Sequence, residues 1–248
     1  YGALRAACEA RGHRVIAYGR DAPDLSWSVL EAGEGGTTAE VKLDGQVFPI
    51  ELALFGEFQL ANALCALALV LATGGDTGAA IAAVNQLEAP PGRLDLVAAH
   101  PTGARIFVDY AHTPDALSHA LAALRPHAMG RLVVIFGCGG DRDRAKRPEM
   151  GRIAAHLADE VIVTDDNPRG EDAAAIRDEI LAGCFGASQM GDRSEAIHRA
   201  IDDLDSGDIL LIAGKGHETT QTIGTKVRAF DDSAVARDAI ANLAVAWT

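Results

Sequence analysis

Leu132-Val133-Val134-Ile135-Phe136, running directly into Gly137-Cys138-Gly139-Gly140-Asp141-Arg142, decides the fold. Five apolar residues without polar alternation fit a strand covered on both faces. A Gly-rich polar segment at its carboxyl end fits the loop by which such a strand leaves a parallel sheet. The pattern returns at 209–213, Ile-Leu-Leu-Ile-Ala, followed by Gly214-Lys215-Gly216-His217-Glu218. Shorter runs at 106–109 and 160–163 read as two more strands, and helical periodicity at 114–124, 148–157, 173–181 and 194–203 separates the four. Strand and helix alternating in this way predict an α/β domain, Rossmann-like and doubly wound, with helices on both faces of a parallel sheet. A hairpin over 221–230, turning at Gly224-Thr225, and a helix over 232–246 complete it.

Upstream, Pro90-Pro91-Gly92 interrupts both helix and sheet, which sets the expected boundary between a unit at 1–92 and one at 93–248. The first unit reads as the tail of another α/β domain. A helix at 3–9, a strand at 14–18, an antiparallel patch from 29–31, 39–43 and 46–52, and helices at 59–73 and 77–86 are expected. The chain opens on Tyr1 in mid-helix and is read as a fragment.

At roughly 150 residues per domain, 248 residues suit one large or two small units. Thirty-five acidic against 22 basic residues give a net charge of −13, which disfavours a nucleic-acid binder and requires any anionic ligand to be held by a local basic cluster. The four cysteines stand far apart with no CxxC, and the eight histidines show no metal spacing, so no metal site is expected. The apolar run 60–72 is too short for a bilayer, and a cytoplasmic monomer without membrane attachment is expected.

Each expected strand ends in polar, Gly-rich or turn-forming residues, and four such ends on one side of a sheet form a crevice. In Asp166-Asn167-Pro168-Arg169 the proline stiffens the turn and aims Arg169, whose planar fork suits a carboxylate; a plain Asx-type turn with a solvated arginine is the alternative. Arg142, Arg144, Lys146 and Arg147 follow glycines and suit an anion, or else form a solvated basic loop. Gly214-Lys215-Gly216-His217-Glu218 lacks the spacing of a phosphate loop, but Glu218 can pair with an ammonium. Arg142, Arg169, Asp166 and Glu218 together offer both signs of charge, matching a zwitterionic, amino-acid-like ligand. His112 reads as a general base or a structural turn residue, and Asp109 as a ribose acceptor or a helix-terminal acid.

The strings DYAHTPDAL at 109–117, FGCGGDRDRAKRPEMG at 136–151, TDDNPR at 164–169 and GKGHE at 214–218, with FGEFQLANALCALA at 55–68 and PPGR at 90–93, resemble the Mur ligases, closely the type that adds meso-2,6-diaminopimelate. Phe58-Gln59 stands where that family usually has Phe-Asn. The resemblance implies the tail of a central ATPase domain followed by a C-terminal ligase domain. It implies an ATP-dependent amide-forming ligase of cell-wall peptidoglycan synthesis, in which the glutamate carboxylate of UDP-MurNAc-L-Ala-D-Glu is phosphorylated and the acyl phosphate is attacked by an amine of diaminopimelate. Arg142, Asp166, Asn167, Pro168, Arg169, Gly214 and Glu218 would then hold diaminopimelate, and Asn62, Arg93, Asp109 and His112 would lie near ATP. ATP and Mg2+ serve the full-length enzyme of that family, whose GTNGKT-type loop, magnesium ligands, carbamylated lysine and UDP-sugar domain have no equivalent stretch in these 248 residues. No catalytic residue is assigned, and the isolated chain is expected to lack ligase and ATPase activity while retaining weak diaminopimelate binding. A stand-alone amino-acid or nucleotide-binding module, and a lysine-adding or folylpolyglutamate-type sister ligase, are the competing readings.

Overall fold

The computed structural model describes residues 2–33 and 35–246. It divides into two compact units, Tyr1–Glu88 and Ala89–Thr248. The first holds α1 (Gly2–Glu9), strands β1 (Leu25–Gly33), β2 (Gly36–Leu43) and β3 (Gln46–Leu52), and helices α2 (Glu57–Ala72) and α3 (Thr77–Val84). The strands form an antiparallel sheet in the order β1-β2-β3. Leu25, Trp27, Ala39, Val41, Leu43, Ile50 and Leu52 are buried in it, following the period of two that places alternate residues on one face. In α2, Leu60, Ala63, Leu64, Leu67 and Ala68 recur at three- and four-residue spacing and form its buried stripe. Asp76 caps α3 by accepting from the Ala79 amide at 2.8 Å.

The expected strand at 14–18 does not form. Its backbone is irregular apart from a single bridge from Tyr18 to Leu25, and the Ala17 amide donates to the Asp24 carboxylate rather than to a neighbouring strand. An alternating pattern makes a strand only when a ladder is available to take its backbone groups.

The second unit runs β4 (Asp95–Ala99), β5 (Arg105–Asp109), α4 (Pro114–Leu124), a 3-10 turn (Arg125–His127), β6 (Leu132–Phe136), α5 (Lys146–Leu157), β7 (Glu160–Val163), α6 (Ala173–Leu181), β8 (Ser188–Gln189), α7 (Arg193–Asp202), β9 (Ile209–Ala213), β10 (Thr220–Ile223), β11 (Lys226–Ala229) and α8 (Asp232–Ala246). The main sheet has the order β4-β5-β9-β6-β7-β8. All its pairs are parallel except the edge pair β4–β5. Helices α4, α5 and α6 pack side by side, and α7 packs on α8, giving one helical layer on each face.

Every residue of β5, β6 and β9 is buried, which is why these strands read as unbroken apolar runs. Ile106, Val108, Val133, Ile135, Leu210 and Ile212 face Ala196, Ile197, Ala200 and Ile201 of α7 and Ala236 and Ala239 of α8. Helix starts are set by side chains: Thr113 caps α4 ahead of Pro114, Asp172 caps α6, and Asp192 caps α7 by accepting from Ser194 and Glu195 amides. Helix α5 begins at Lys146, two residues before the expected start, since Pro148 is tolerated within a first turn whose amides need no helical partner.

Because β9 inserts between β5 and β6, the chain leaves β6 toward β7 on one side and returns to β9 on the other. The carboxyl ends of β6 and β9 are therefore adjacent at the point where the winding reverses, the place where open α/β sheets present their crevice.

Candidate functional site

Three loops reach this crevice, from β6, β7 and β9. The loop after β7 carries Asp166 and Asn167, both buried, and then turns sharply. Arg169 takes a left-handed backbone, φ 51°, its amide donating to the Thr222 carbonyl at 3.1 Å and its carbonyl accepting from Gly224 at 2.7 Å. The β10–β11 hairpin thus fixes the turn that carries the arginine. Asn167 is the hub: its Oδ1 accepts from the Thr222 amide at 2.9 Å, and its Nδ2 donates to Asp166 at 2.8 Å and to Glu218 at 3.1 Å.

From β9, Gly214 has φ +116°, and a Cβ there would lie 2.8 Å from the Asp166 carboxylate; both the backbone conformation and the close approach require glycine. Lys215 follows, fully buried, with Nζ 3.5 Å from Asn167 Oδ1, 3.5 Å from Glu218 Oε2 and 4.0 Å from Asp166 Oδ1. This buried ammonium balances the two carboxylates and holds Glu218, whose side chain stays 35% exposed, at the mouth.

The β6 loop brings the second arginine. Arg142 is exposed and donates to its neighbour's carbonyl, that of Asp141, at 3.0 Å, while Arg169 donates to the carbonyls of Gly140 and Asn167. Both guanidinium-bearing side chains flank Gly139: a Cβ at that glycine would come within 4 Å of Arg142 Cγ and of Arg169 Nη1. Among the described residues neither arginine has a carboxylate within 4 Å, whereas Arg144 and Arg147, from the same basic run, are tied to Glu171 and Glu179. Lys146 donates to the His112 carbonyl at 2.7 Å. The run is therefore not a uniform anion site: Arg144 and Arg147 are neutralised, and Arg142 is turned outward.

A second group surrounds Tyr110. Arg93 lies 4.8 Å over its ring, within cation–π range, and the rings of His112 and His217 lie 4.5 and 5.5 Å from it. His112 Nδ1 is 2.8 Å from the Tyr110 carbonyl. Asp109 accepts from the Leu94 and Ala111 amides, both at 2.7 Å, so its two oxygens brace the Pro90–Leu94 turn and the strand exit. Burial pushes the Asp109 carboxyl above its ordinary range, against these two donors and the nearby Arg93. Asn62 is exposed on α2 in the first unit.

Sequence reasoning missed Lys215, Arg147 and Glu171 as partners, and Tyr110 as the ring on which Arg93, His112 and His217 gather. For Lys215 a signal exists: it sits between two glycines directly after an unbroken apolar strand, where a side chain has room only against the neighbouring loops. For Arg147 and Glu171, 24 residues apart, the sequence offers none.

Residues 92–216 match the Mur ligase, glutamate ligase domain, and residues 1–70 the Mur ligase middle domain. The chain belongs to the Mur ligase family. A UDP-N-acetylmuramoyl-L-alanyl-D-glutamate–2,6-diaminopimelate ligase of Mesorhizobium japonicum is 49% identical over 94% of this chain and 48% of its own length. Its counterpart in Zymomonas mobilis is 51% identical, over 94% and 49%. A solved ligase of the same name superposes with a TM-score of 0.73 at 35% identity, covering 97% of this chain and 50% of that one. A folylpolyglutamate synthase from Thermotoga maritima shares the fold, with a TM-score of 0.67 at 21% identity over 85% of this chain and 48% of that one. The chain spans about half the length of the curated relatives it matches.

Proposed function

We propose that this chain forms the amino-acid-adding part of an ATP-dependent ligase that joins meso-2,6-diaminopimelate to the glutamate of UDP-MurNAc-L-Ala-D-Glu in bacterial peptidoglycan synthesis. What supports the reading is one observation: the side chains of Arg142 and Arg169, which among the described residues have no carboxylate partner, both approach Gly139, and Asn167 of the Arg169 loop also holds Glu218. Diaminopimelate carries a carboxylate and an ammonium at each end. Arg142 and Arg169 would grip the distal carboxylate and Glu218 the distal ammonium, leaving the other amine to attack. In the proposed reaction the glutamate carboxylate is first converted to an acyl phosphate at the expense of ATP. The amine nitrogen then forms the amide bond to that carbonyl carbon as phosphate leaves, and the nitrogen gives up a proton. Holding the amine at a fixed distance is a proximity effect, the chief contribution these residues would make.

Asp166, Asn167, Pro168 and Gly214 are proposed to line the same site, and Arg93, Asp109 and His112 of the second unit to lie near the nucleotide. Among the described residues no group of three or more His, Cys, Asp or Glu side chains is arranged to hold a metal ion, so the Mg2+ of the proposed reaction is assigned no ligand among them. Among the described residues no helix is long and apolar enough to cross a membrane. A bacterial cytoplasmic location and a monomeric state belong to this proposal, as does the absence of ligase and ATPase activity in these 248 residues alone.

Calorimetry on the 248-residue chain tests the reading. Meso-diaminopimelate is expected to bind and L-lysine, which lacks the distal carboxylate, to bind at least tenfold more weakly. Equal affinities, or binding of lysine alone, would move the chain to a sister ligase, and binding of neither would remove the amino-acid site.

A further inference from the structure

Arg147 lies at the start of α5, just after the exposed stretch 141–145, yet none of its side chain reaches solvent. Its Nη1 donates to Glu171 at 3.0 Å and to Glu179 at 2.8 Å; its Nη2 donates to Glu171 at 2.8 Å and to the Gly139 carbonyl at 3.3 Å. An arginine so enclosed cannot meet a ligand anion. What it does is join two loops. Glu171 stands two residues beyond Arg169, and its Oε1 also accepts from the Asp141 amide at 2.6 Å, one residue before Arg142. Asp141, with φ 55°, returns its own carboxylate to the Gly170 amide at 3.0 Å. The Gly140 amide donates to the Asn167 carbonyl at 2.9 Å, and a Cβ on Gly140 would sit 1.9 Å from the Pro168 carbonyl oxygen. The bonds therefore converge on the immediate neighbours of Arg142 and Arg169.

We infer that Arg147 and Glu171 are a positioning pair: together they clamp the loop after β6 to the loop after β7 and set the spacing of the two arginines, so that the carboxylate grip is formed before the ligand arrives. This rests on the proposed diaminopimelate site for its ligand, though the clamp itself does not depend on which ligand is bound. A buried arginine loses far more when its forked partner is removed than an exposed one does, which makes the clamp rigid. Preformed spacing spares the ligand the entropy of ordering two loops.

The test uses the 248-residue chain with Glu171→Gln, which keeps the shape but removes the charge, and Arg147→Lys, which keeps the charge but removes the fork. Hydrogen exchange is read at the Gly140, Asp141 and Gly170 amides, and at Val134 and Leu211 in the central strands. Meso-diaminopimelate affinity is read by calorimetry and global stability by the unfolding midpoint. The expected result is exchange at the three loop amides accelerated at least tenfold more than at the two strand amides. Affinity should be at least tenfold weaker, and the midpoint lowered. Should Arg147→Lys fail to fold, Glu171→Gln carries the test. Unchanged loop exchange, or loop and strand amides accelerating together, would overturn the clamp. Released loops with undiminished affinity would overturn its positioning role. If the unsubstituted chain binds no diaminopimelate while the loop amides respond as expected, the ligand assignment fails and the clamp stands.

Discussion

The two ends of the parallel sheet treat their charges in opposite ways. At the amino end, Arg131 is spent internally: it donates to Asp208 through Nε and Nη2, at 3.0 and 2.7 Å, and to Glu160 at 3.0 Å. Asp208, 3% exposed, also takes the Arg131 and Asp205 amides. At the carboxyl end, among the described residues, Arg142 and Arg169 meet only backbone carbonyls, and Glu218 is left one-third exposed. A carbonyl takes a hydrogen bond but cannot neutralise a guanidinium, so one end is electrostatically closed and the other is left for a ligand of mixed charge. Substitutions at the first should therefore register in stability, and at the second in affinity.

The largest expected effect is at the closed end. Asp208→Ala removes the acceptor of several donors and should cost about 3 kcal/mol of unfolding free energy in a denaturant titration, with diaminopimelate affinity unchanged. Weakened affinity would blur the division between the two ends. Next, Arg169→Ala should weaken diaminopimelate binding by about 2 kcal/mol, roughly thirtyfold, while the denaturation midpoint stays put, as expected for loss of a charge-assisted contact made only to the ligand. Asp76→Ala, a helix cap in the first unit, should cost about 1 kcal/mol of stability and nothing in affinity, which calibrates both.

The smallest effect is a pH dependence. The Arg147 fork holds the Glu171 carboxyl down to about 2 from its ordinary 4.5. For Asp208, burial pushes the carboxyl up, but bonds from Asp205 and Arg131 outweigh it and leave the carboxyl below 3.8. For a carboxylate lowered by folding, the stabilisation is complete above its unfolded value and drains away as the pH falls through its folded value. Stability from these two groups should hold flat from pH 8 to about 5 and decline below roughly 4.5. NMR titration of the Glu171 side chain should give a midpoint near 2, rising toward 4.5 in Arg147→Met; a midpoint already near 4.5 would detach Glu171 from the arginine.

The second unit's main strands were legible because burial on both faces leaves no alternation to misread, as in Leu132–Phe136 and Ile209–Ala213. The edge strand β4 was not, because its register shifts between Leu96 and Ala98 and the pattern breaks with it. The stretch at 14–18 erred the other way, alternating without a ladder to join. At the site, residue types suited to a zwitterion were readable from the loops that follow each strand. That Arg142 and Arg169 are left without carboxylates while Arg144 and Arg147 are not depends on Glu171 and Glu179, which only the fold brings opposite them.

The most direct measurement is the ratio of meso-diaminopimelate to L-lysine affinity, taken in the unsubstituted chain and in Arg169→Ala. If Arg169 grips the distal carboxylate, the ratio should collapse toward one through loss of diaminopimelate binding alone, with lysine affinity unmoved. A ratio that survives the substitution, or two affinities that fall together, would contradict the carboxylate grip.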